Sequence, residues 1–118
     1  MAPKQSFFVY PANPAQIGQT IEGAAAQLRH RGELCETWRQ IDLPGHFLID
    51  GILEKIDKSD FVIADITRLN FNVTFEIGYA IGKNKRVYLV INSAVTPQIR
   101  EITSLGIFDT LGYVGYTN

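Results

Sequence analysis

Apolar positions along the chain follow two rhythms in turn, and each switch marks a new element. Ser6 to Tyr10 is a short apolar run stopped by Pro11, which predicts a first strand. Asn13-Pro14 then supplies a capping side chain and a proline in the first helical turn. Ile17, Ile21, Ala24, Ala25 and Leu28 recur at helical spacing up to about Arg31, and Gly32 ends that helix. Residues 33–39 predict a second strand, and Asp42-Leu43-Pro44-Gly45 is turn chemistry. Phe47 or Leu48, then Ile49, Ile52, Leu53 and Ile56, mark a second amphipathic helix ending near Lys58. Phe61-Val62-Ile63-Ala64-Asp65-Ile66 is the clearest strand, apolar almost throughout, as suits a central parallel strand covered on both faces. A loop over Thr67 to Phe71 leads to a helix from about Val73 to Gly82. Arg86 to Ile91 predicts another buried strand, Pro97 to Leu105 a weaker helix, and Phe108 to Val114 a last strand.

Strands alternating with helices predict an α/β fold: a parallel sheet with helices on both faces. The two central apolar strands favour a flavodoxin-like three-layer sandwich with five strands in the order 2-1-3-4-5. In such sheets the ligand lies outside the carboxyl ends of the strands, at the point where the strand order reverses. That rule directs attention to four loops, Pro11 to Asn13, Ile41 to His46, Asp65 to Asn72 and Ile91 to Thr96. The length of 118 residues fits a single domain spanning 1–118. Gly115-Tyr116-Thr117-Asn118 arrives without a helix to close the last strand, so the expectation is a domain cut from a longer protein or completed by self-association.

Composition narrows the partners. The net charge is −1 with no Lys/Arg run, which speaks against a nucleic-acid surface. Hydrophobic residues make up 46% of the chain, enough for a buried core. No apolar stretch reaches the about 18–20 residues that span a bilayer, and Phe7-Phe8-Val9-Tyr10 is too short for a signal sequence. A cytoplasmic protein with no membrane partner is the expectation. Cys35 is the only cysteine, so no internal disulfide is possible, and its setting reads as a small core or edge residue rather than a nucleophile.

The candidate chemistry gathers after the third strand. Asp65 closes that strand, and Asn72 is placed to cap the next helix. Glu76 falls about one turn further, on the same side as Val73 and Ala80, so it is not a freely solvated acid. The helix dipole favours its charged form while partial burial opposes it. A charged, poorly hydrated carboxylate suits a nucleophile or a stabiliser of an oxocarbenium-like centre. Each residue also has a plainer reading. Acids are common in first turns, and an aspartate at a strand end often caps the following loop. Asn13 heads a helix whose free N–H groups suit phosphate, or is simply an N-cap. Tyr10 offers a stacking face or a core ring. His46, after Pro44-Gly45, donates to a substrate or decorates the surface, and His30 belongs to a solvated helix end. Asp42 lies in the same loop as His46. There is no glycine-rich phosphate fingerprint, no metal-ligand spacing and no nucleophile elbow.

Two stretches carry a resemblance. They are Lys58-Ser59-Asp60-Phe61-Val62-Ile63-Ala64-Asp65-Ile66-Thr67 and Asn70-Phe71-Asn72-Val73-Thr74-Phe75-Glu76-Ile77-Gly78-Tyr79-Ala80. Together with Gly82-Lys83-Asn84-Lys85-Arg86-Val87 they resemble the nucleoside 2-deoxyribosyltransferase-like families and the bacterial TIR-like domains, over residues 58 to 91. The resemblance implies a flavodoxin-like fold and attack on an N-glycosidic bond. In the transferases the glutamate matching Glu76 takes the sugar; in TIR-like NAD hydrolases its counterpart supports loss of nicotinamide. Tyr10-Pro11-Ala12-Asn13-Pro14 departs from the Gly-Pro loop of the transferases, and Gln40 to His46 stands where TIR-like domains carry a loop over the nucleotide.

The resemblance therefore implies a TIR-like nucleotide hydrolase acting on NAD, which would be a substrate and not a cofactor. Glu76 and Asp65 are the implied catalytic residues. Tyr10, Asn13, Asp42, His46 and Asn72 are the implied substrate contacts. Self-association and further domains are the implied partners. A nucleoside or nucleotide deoxyribosyltransferase or N-glycosidase is the alternative enzyme, and a nucleotide-sensing module without chemistry is the alternative from another class.

Overall fold

The structure, a computed structural model, describes residues 4–11, 15–38, 48–68, 71–92, 94 and 114–116. Five strands, β1 (Gln5–Val9), β2 (Leu34–Thr37), β3 (Phe61–Asp65), β4 (Arg86–Asn92) and β5 (Val114–Tyr116), form one sheet in the order β2-β1-β3-β4-β5. Every neighbouring pair is parallel. Three helices are described, α1 (Ala15–His30), α2 (Leu48–Lys58) and α3 (Phe71–Gly82). The α/β architecture and strand order match the sequence expectation.

Alternation along the strands divides the core in two. Phe7 and Val9 of β1, Val62 and Ala64 of β3, and Leu89 and Ile91 of β4 pack with Ile52 and Ile56 of α2 and Val73, Ile77 and Ala80 of α3. Phe8 and Tyr10 pack on the other face with Cys35 of β2 and Ile17, Ile21 and Ala25 of α1. Trp38, just past β2, touches both clusters. Tyr88 and Val114 lie on the α1 face, in register with Ile63 and with Val90 respectively, and are 47% and 68% exposed.

Two helices end in the same backbone device. The Gly32 N–H donates to Arg29 O (2.9 Å) and the Glu33 N–H to Leu28 O (3.1 Å), with Gly32 at φ +88°. The Asn84 N–H donates to Ile81 O (3.0 Å) and the Lys85 N–H to Ala80 O (2.9 Å), with Asn84 at φ 61°. Both are Schellman caps, which satisfy the last carbonyls and turn the chain into the next strand.

Several boundaries differ from the sequence expectation. The third helix starts at Phe71 rather than Val73, so Asn72 lies inside its first turn instead of capping it. Of the strand expected over Phe108 to Val114, only Val114 lies within the described residues, and it belongs to β5 (Val114–Tyr116), which continues two residues further; a stretch with one glycine in three carries too little pattern to be placed by periodicity. The helix expected over Pro97 to Leu105 lies outside the described residues. Among the described residues no helix is long and apolar enough to cross a membrane.

The two glycines of α1 and its cap give opposite expectations. A Cβ on either Gly23 or Gly32 meets no atom within 4 Å, so only the backbone decides. Gly32→Ala forces a side chain into the left-handed region and destabilises by about 1–2 kcal/mol. Gly23→Ala, in the helix interior, stabilises by about 0.5–1 kcal/mol. Denaturant unfolding of the two variants against wild type measures both signs.

Candidate functional site

The strand order reverses between β1 and β3, so the crevice of this fold opens at their carboxyl ends. α3 begins at that edge and leans on β1, β3 and β4. Its inward stripe is Val73, Ile77 and Ala80, at 1%, 0% and 0% exposure. Glu76 belongs to that stripe and is only 6% exposed. Among the described residues no hydrogen bond or ion pair reaches its carboxylate. Loss of water raises its pKa from the ordinary 4.5 to about 7. The carboxylate is thus poised to exchange a proton near neutrality, in a cleft-edge setting where its charge is little screened.

Asp65 ends β3 and is fully buried. Its Oδ1 accepts the Thr67 N–H at 2.8 Å, an Asx-type turn that folds the start of the loop leading to α3. Its Oδ2 accepts the Tyr116 O–H from β5. Thr67 Oγ1 in turn accepts the Asn92 N–H (2.8 Å), and Asn92 Oδ1 accepts the Ala94 N–H (3.1 Å). Ile66 N–H bonds Val90 O at 2.9 Å. The ends of β3, β4 and β5 are therefore tied by one buried polar network. Burial, then the bond to Asp65, pushes the Tyr116 phenol well above its usual pKa, so it stays a donor. Alternation in β3 turns Asp65 to the α1 face, whereas Glu76 arrives on α3 from the opposite face. The two candidate catalytic carboxylates therefore approach the edge from opposite faces and do not form a hydrogen-bonded pair.

Tyr10 follows β1 on the α1 side. Its hydroxyl donates to Glu22 and its ring tilts against Trp38 with centroids 5.5 Å apart. At 4% exposure the ring is part of the α1-side core. Asn72 is exposed in the first turn of α3. Asn13, Asp42 and His46 lie outside the described residues. Among the described residues no cluster of His, Cys, Asp and Glu is placed to hold a metal ion. A concavity of about 630 Å³ lies elsewhere, among Gln5, Arg29, Gly32 and Leu34 at the amino ends of β1 and β2, away from Glu76. Cys35 lines it, and burial raises the thiol pKa, which fits an inert core thiol.

Sequence reasoning passed over Tyr116, Thr67 and Asn92. Thr67 and Asn92 carried a readable signal, since polar residues at the ends of two buried strands point into the crevice. Tyr116 carried none, because only the pairing of β5 with β4 brings it 51 residues back to Asp65.

No protein-family model matches the chain, and no curated protein is similar to it at a significant level. Solved structures do share its fold. The CMP N-glycosidase BcmB of Clostridium botulinum matches with a TM-score of 0.62 at 19% identity, over 97% of this chain and 91% of that one. The TIR domain of a Toll-related receptor from Hydra magnipapillata matches with a TM-score of 0.69 at 15% identity, over 96% and 84%. The fold is therefore shared with a CMP N-glycosidase and with a TIR domain, in line with the fold that the resemblance in residues 58 to 91 implied.

The raised pKa of Glu76 makes stability depend on pH. The unfolded carboxyl ionises near 4.5 and the folded one near 7. Its contribution is fully present below pH 4.5, declines as pH rises, and is lost above 7. The neutral variant Glu76→Gln escapes that loss. Its unfolding free energy relative to wild type should climb between pH 4.5 and 7 and level off above, by at most about 3 kcal/mol. A flat difference across that window, from denaturant titrations at several pH values, contradicts a desolvated Glu76.

Proposed function

We propose that the chain is an N-glycosidase of the TIR-like kind, breaking the bond between a ribosyl C1′ and a base nitrogen, with NAD as its substrate. The observation that carries this reading is Glu76: a carboxylate stripped of water, on the first turns of α3, beside the reversal of strand order. As the C1′–N bond lengthens, its electron pair leaves with the nitrogen and positive charge grows on C1′ and the ring oxygen. An ionised carboxylate beneath the ring stabilises that charge, by capture or by its field. The pyridinium nitrogen of NAD is already cationic, so nicotinamide departs neutral and the step needs no proton donor. Water then adds to C1′, releases a proton and yields ADP-ribose.

In this reading Asp65 holds the loop before α3, and Asn72, exposed at the helix start, meets a ribose hydroxyl. Asn13, Asp42, His46 and the Tyr10 region serve phosphate, ribose and base. Self-association would complete the site. The shared fold with a TIR domain supports the reading. A second reading, a pyrimidine nucleotide such as CMP as substrate, is favoured by the fold shared with a CMP N-glycosidase. Cytosine leaves a neutral glycoside, so that reaction also needs a group to protonate the base.

The test is release of nicotinamide from NAD and of cytosine from CMP by concentrated protein. Glu76→Gln should lose about 10²–10³-fold in rate. Because the ionised carboxylate acts, kcat/KM should rise with pH through about 7. Cytosine without nicotinamide selects the second reading. Tight nucleotide binding with neither product selects a sensing module, and a Glu76→Gln variant at full rate removes Glu76 from the mechanism.

A further inference from the structure

The buried network at the carboxyl edge is more than a strand closure. Asp65 is a fully buried carboxylate with one oxygen held by a backbone N–H two residues on and the other by a phenol 51 residues on. Residues Ile66 to Arg68 run directly from it toward α3, and Thr67, 4% exposed, is pinned from both ends: its N–H on Asp65 and its Oγ1 under the Asn92 N–H. The phenol of β5 thus bonds the same carboxylate that holds the start of the segment leading to the helix that carries Glu76. We propose that Tyr116 is a positioning residue for Glu76, acting through Asp65 and Thr67: its hydroxyl closes the β3–β4–β5 edge, fixes the entry of α3 and keeps water from the Glu76 carboxylate.

A carboxylate out of water needs donors for its lone pairs, and a missing donor is replaced by water or by rearrangement. Removing the Tyr116 hydroxyl leaves Asp65 Oδ2 short of a donor, and water is the nearest substitute. Admitting it at the strand ends loosens Thr67, and the first turn of α3 loses its fixed approach to the sheet. Glu76 has only burial acting on its titration, so water reaching it returns the carboxyl toward ordinary behaviour. The phenol ring itself is half-buried, so Tyr116→Phe keeps the packing and deletes only the hydroxyl, with its bond to Asp65 and its hydrogen bonds with Thr67 and Asn92.

The proposal concerns the setting of Glu76 and deepens the N-glycosidase reading, on which its kinetic consequence rests. Its first test needs no substrate. Carboxyl-carbon NMR follows Glu76 titration in wild type, in Tyr116→Phe and in Asp65→Asn, with amide exchange at Thr67 measured alongside. The expected result is a fall of at least about half a pH unit in the Glu76 midpoint in both variants, with faster exchange at Thr67 and an unmoved Glu54, which is exposed on α2. An unchanged Glu76 midpoint in both folded variants overturns the proposal. Should Tyr116→Phe fail to fold, Asp65→Asn decides by the same two readouts.

The second test is kinetic. Tyr116→Phe should lower kcat for nicotinamide or cytosine release about 10-fold or more while KM moves less than about threefold. In a Glu76→Gln background the same change should have no further effect. An equal slowing in both backgrounds shows that Tyr116 does not act through Glu76, and defeats the proposal. Absence of turnover in wild type counts against the N-glycosidase reading alone, since the NMR result still judges the positioning role.

Discussion

Val73, Ile77 and Ala80 reach the sheet only if Glu76 goes with them, because it lies three residues after the first and four before the last. Burying the apolar stripe of α3 contributes roughly 25 cal/mol for each Å² removed from water. That gain holds a carboxylate, without a hydrogen-bond partner among the described residues, at 6% exposure and with its pKa raised to about 7. Fold and site are therefore one problem. A surface glutamate in the same turn would have left α3 equally well packed and chemically ordinary.

The two faces of the sheet divide the labour at this edge. On the α2/α3 face the core is apolar up to Glu76. On the α1 face the strand ends are polar: Asp65, Asn92 and Tyr116 share one parity and meet in a hydrogen-bonded cluster. The first face supplies a carboxylate without water, and the second supplies the rigidity that keeps water out. Ile66 and Thr67 pass between them, with Ile66 in the α2/α3 core and Thr67 in the polar network. A shift in either layer is felt in the other through those two residues.

Much of this was legible in the residues. Period-two runs such as Ser6 to Tyr10 and the helical recurrence of Ile17, Ile21 and Ala25 gave the element order, and the apolar β3 and β4 placed the centre of the sheet. Glu76 was legible because a helix of known phase puts it among Val73 and Ala80. Asp65 was legible as a strand end, and its loop-capping geometry is the plainer of the two readings it allowed. Three things were not. A helix start cannot be fixed to a residue by periodicity, so Asn72 was taken for the cap. A three-residue stretch with a central glycine has no pattern, so Gly115 and Tyr116 do not read as strand. The Tyr116 to Asp65 bond is a product of topology, and no local signal encodes a contact between residues 51 apart.

The near-neutral titration of Glu76 bears on which substrate the site favours. Burial pushes the Glu76 carboxyl up to about 7, so its protonated form competes near neutrality, and only the ionised form stabilises positive charge at C1′. A substrate that brings its own positive charge changes that balance. In the proposed reading, a NAD pyridinium ring bound beside Glu76 would favour the carboxylate by the same Coulomb attraction that the dry surroundings strengthen. Binding would then prepare the catalyst, and the attraction would weaken as nicotinamide departs neutral. The charge would pass from the ring nitrogen to C1′, beside a carboxylate already ionised. A neutral cytosine ring offers no such help: Glu76 would stay partly protonated in the complex, and the leaving base would need a proton of its own. A lone desolvated carboxylate is thus better matched to a cationic leaving group than to a neutral one, and this is the physical ground for placing NAD ahead of CMP.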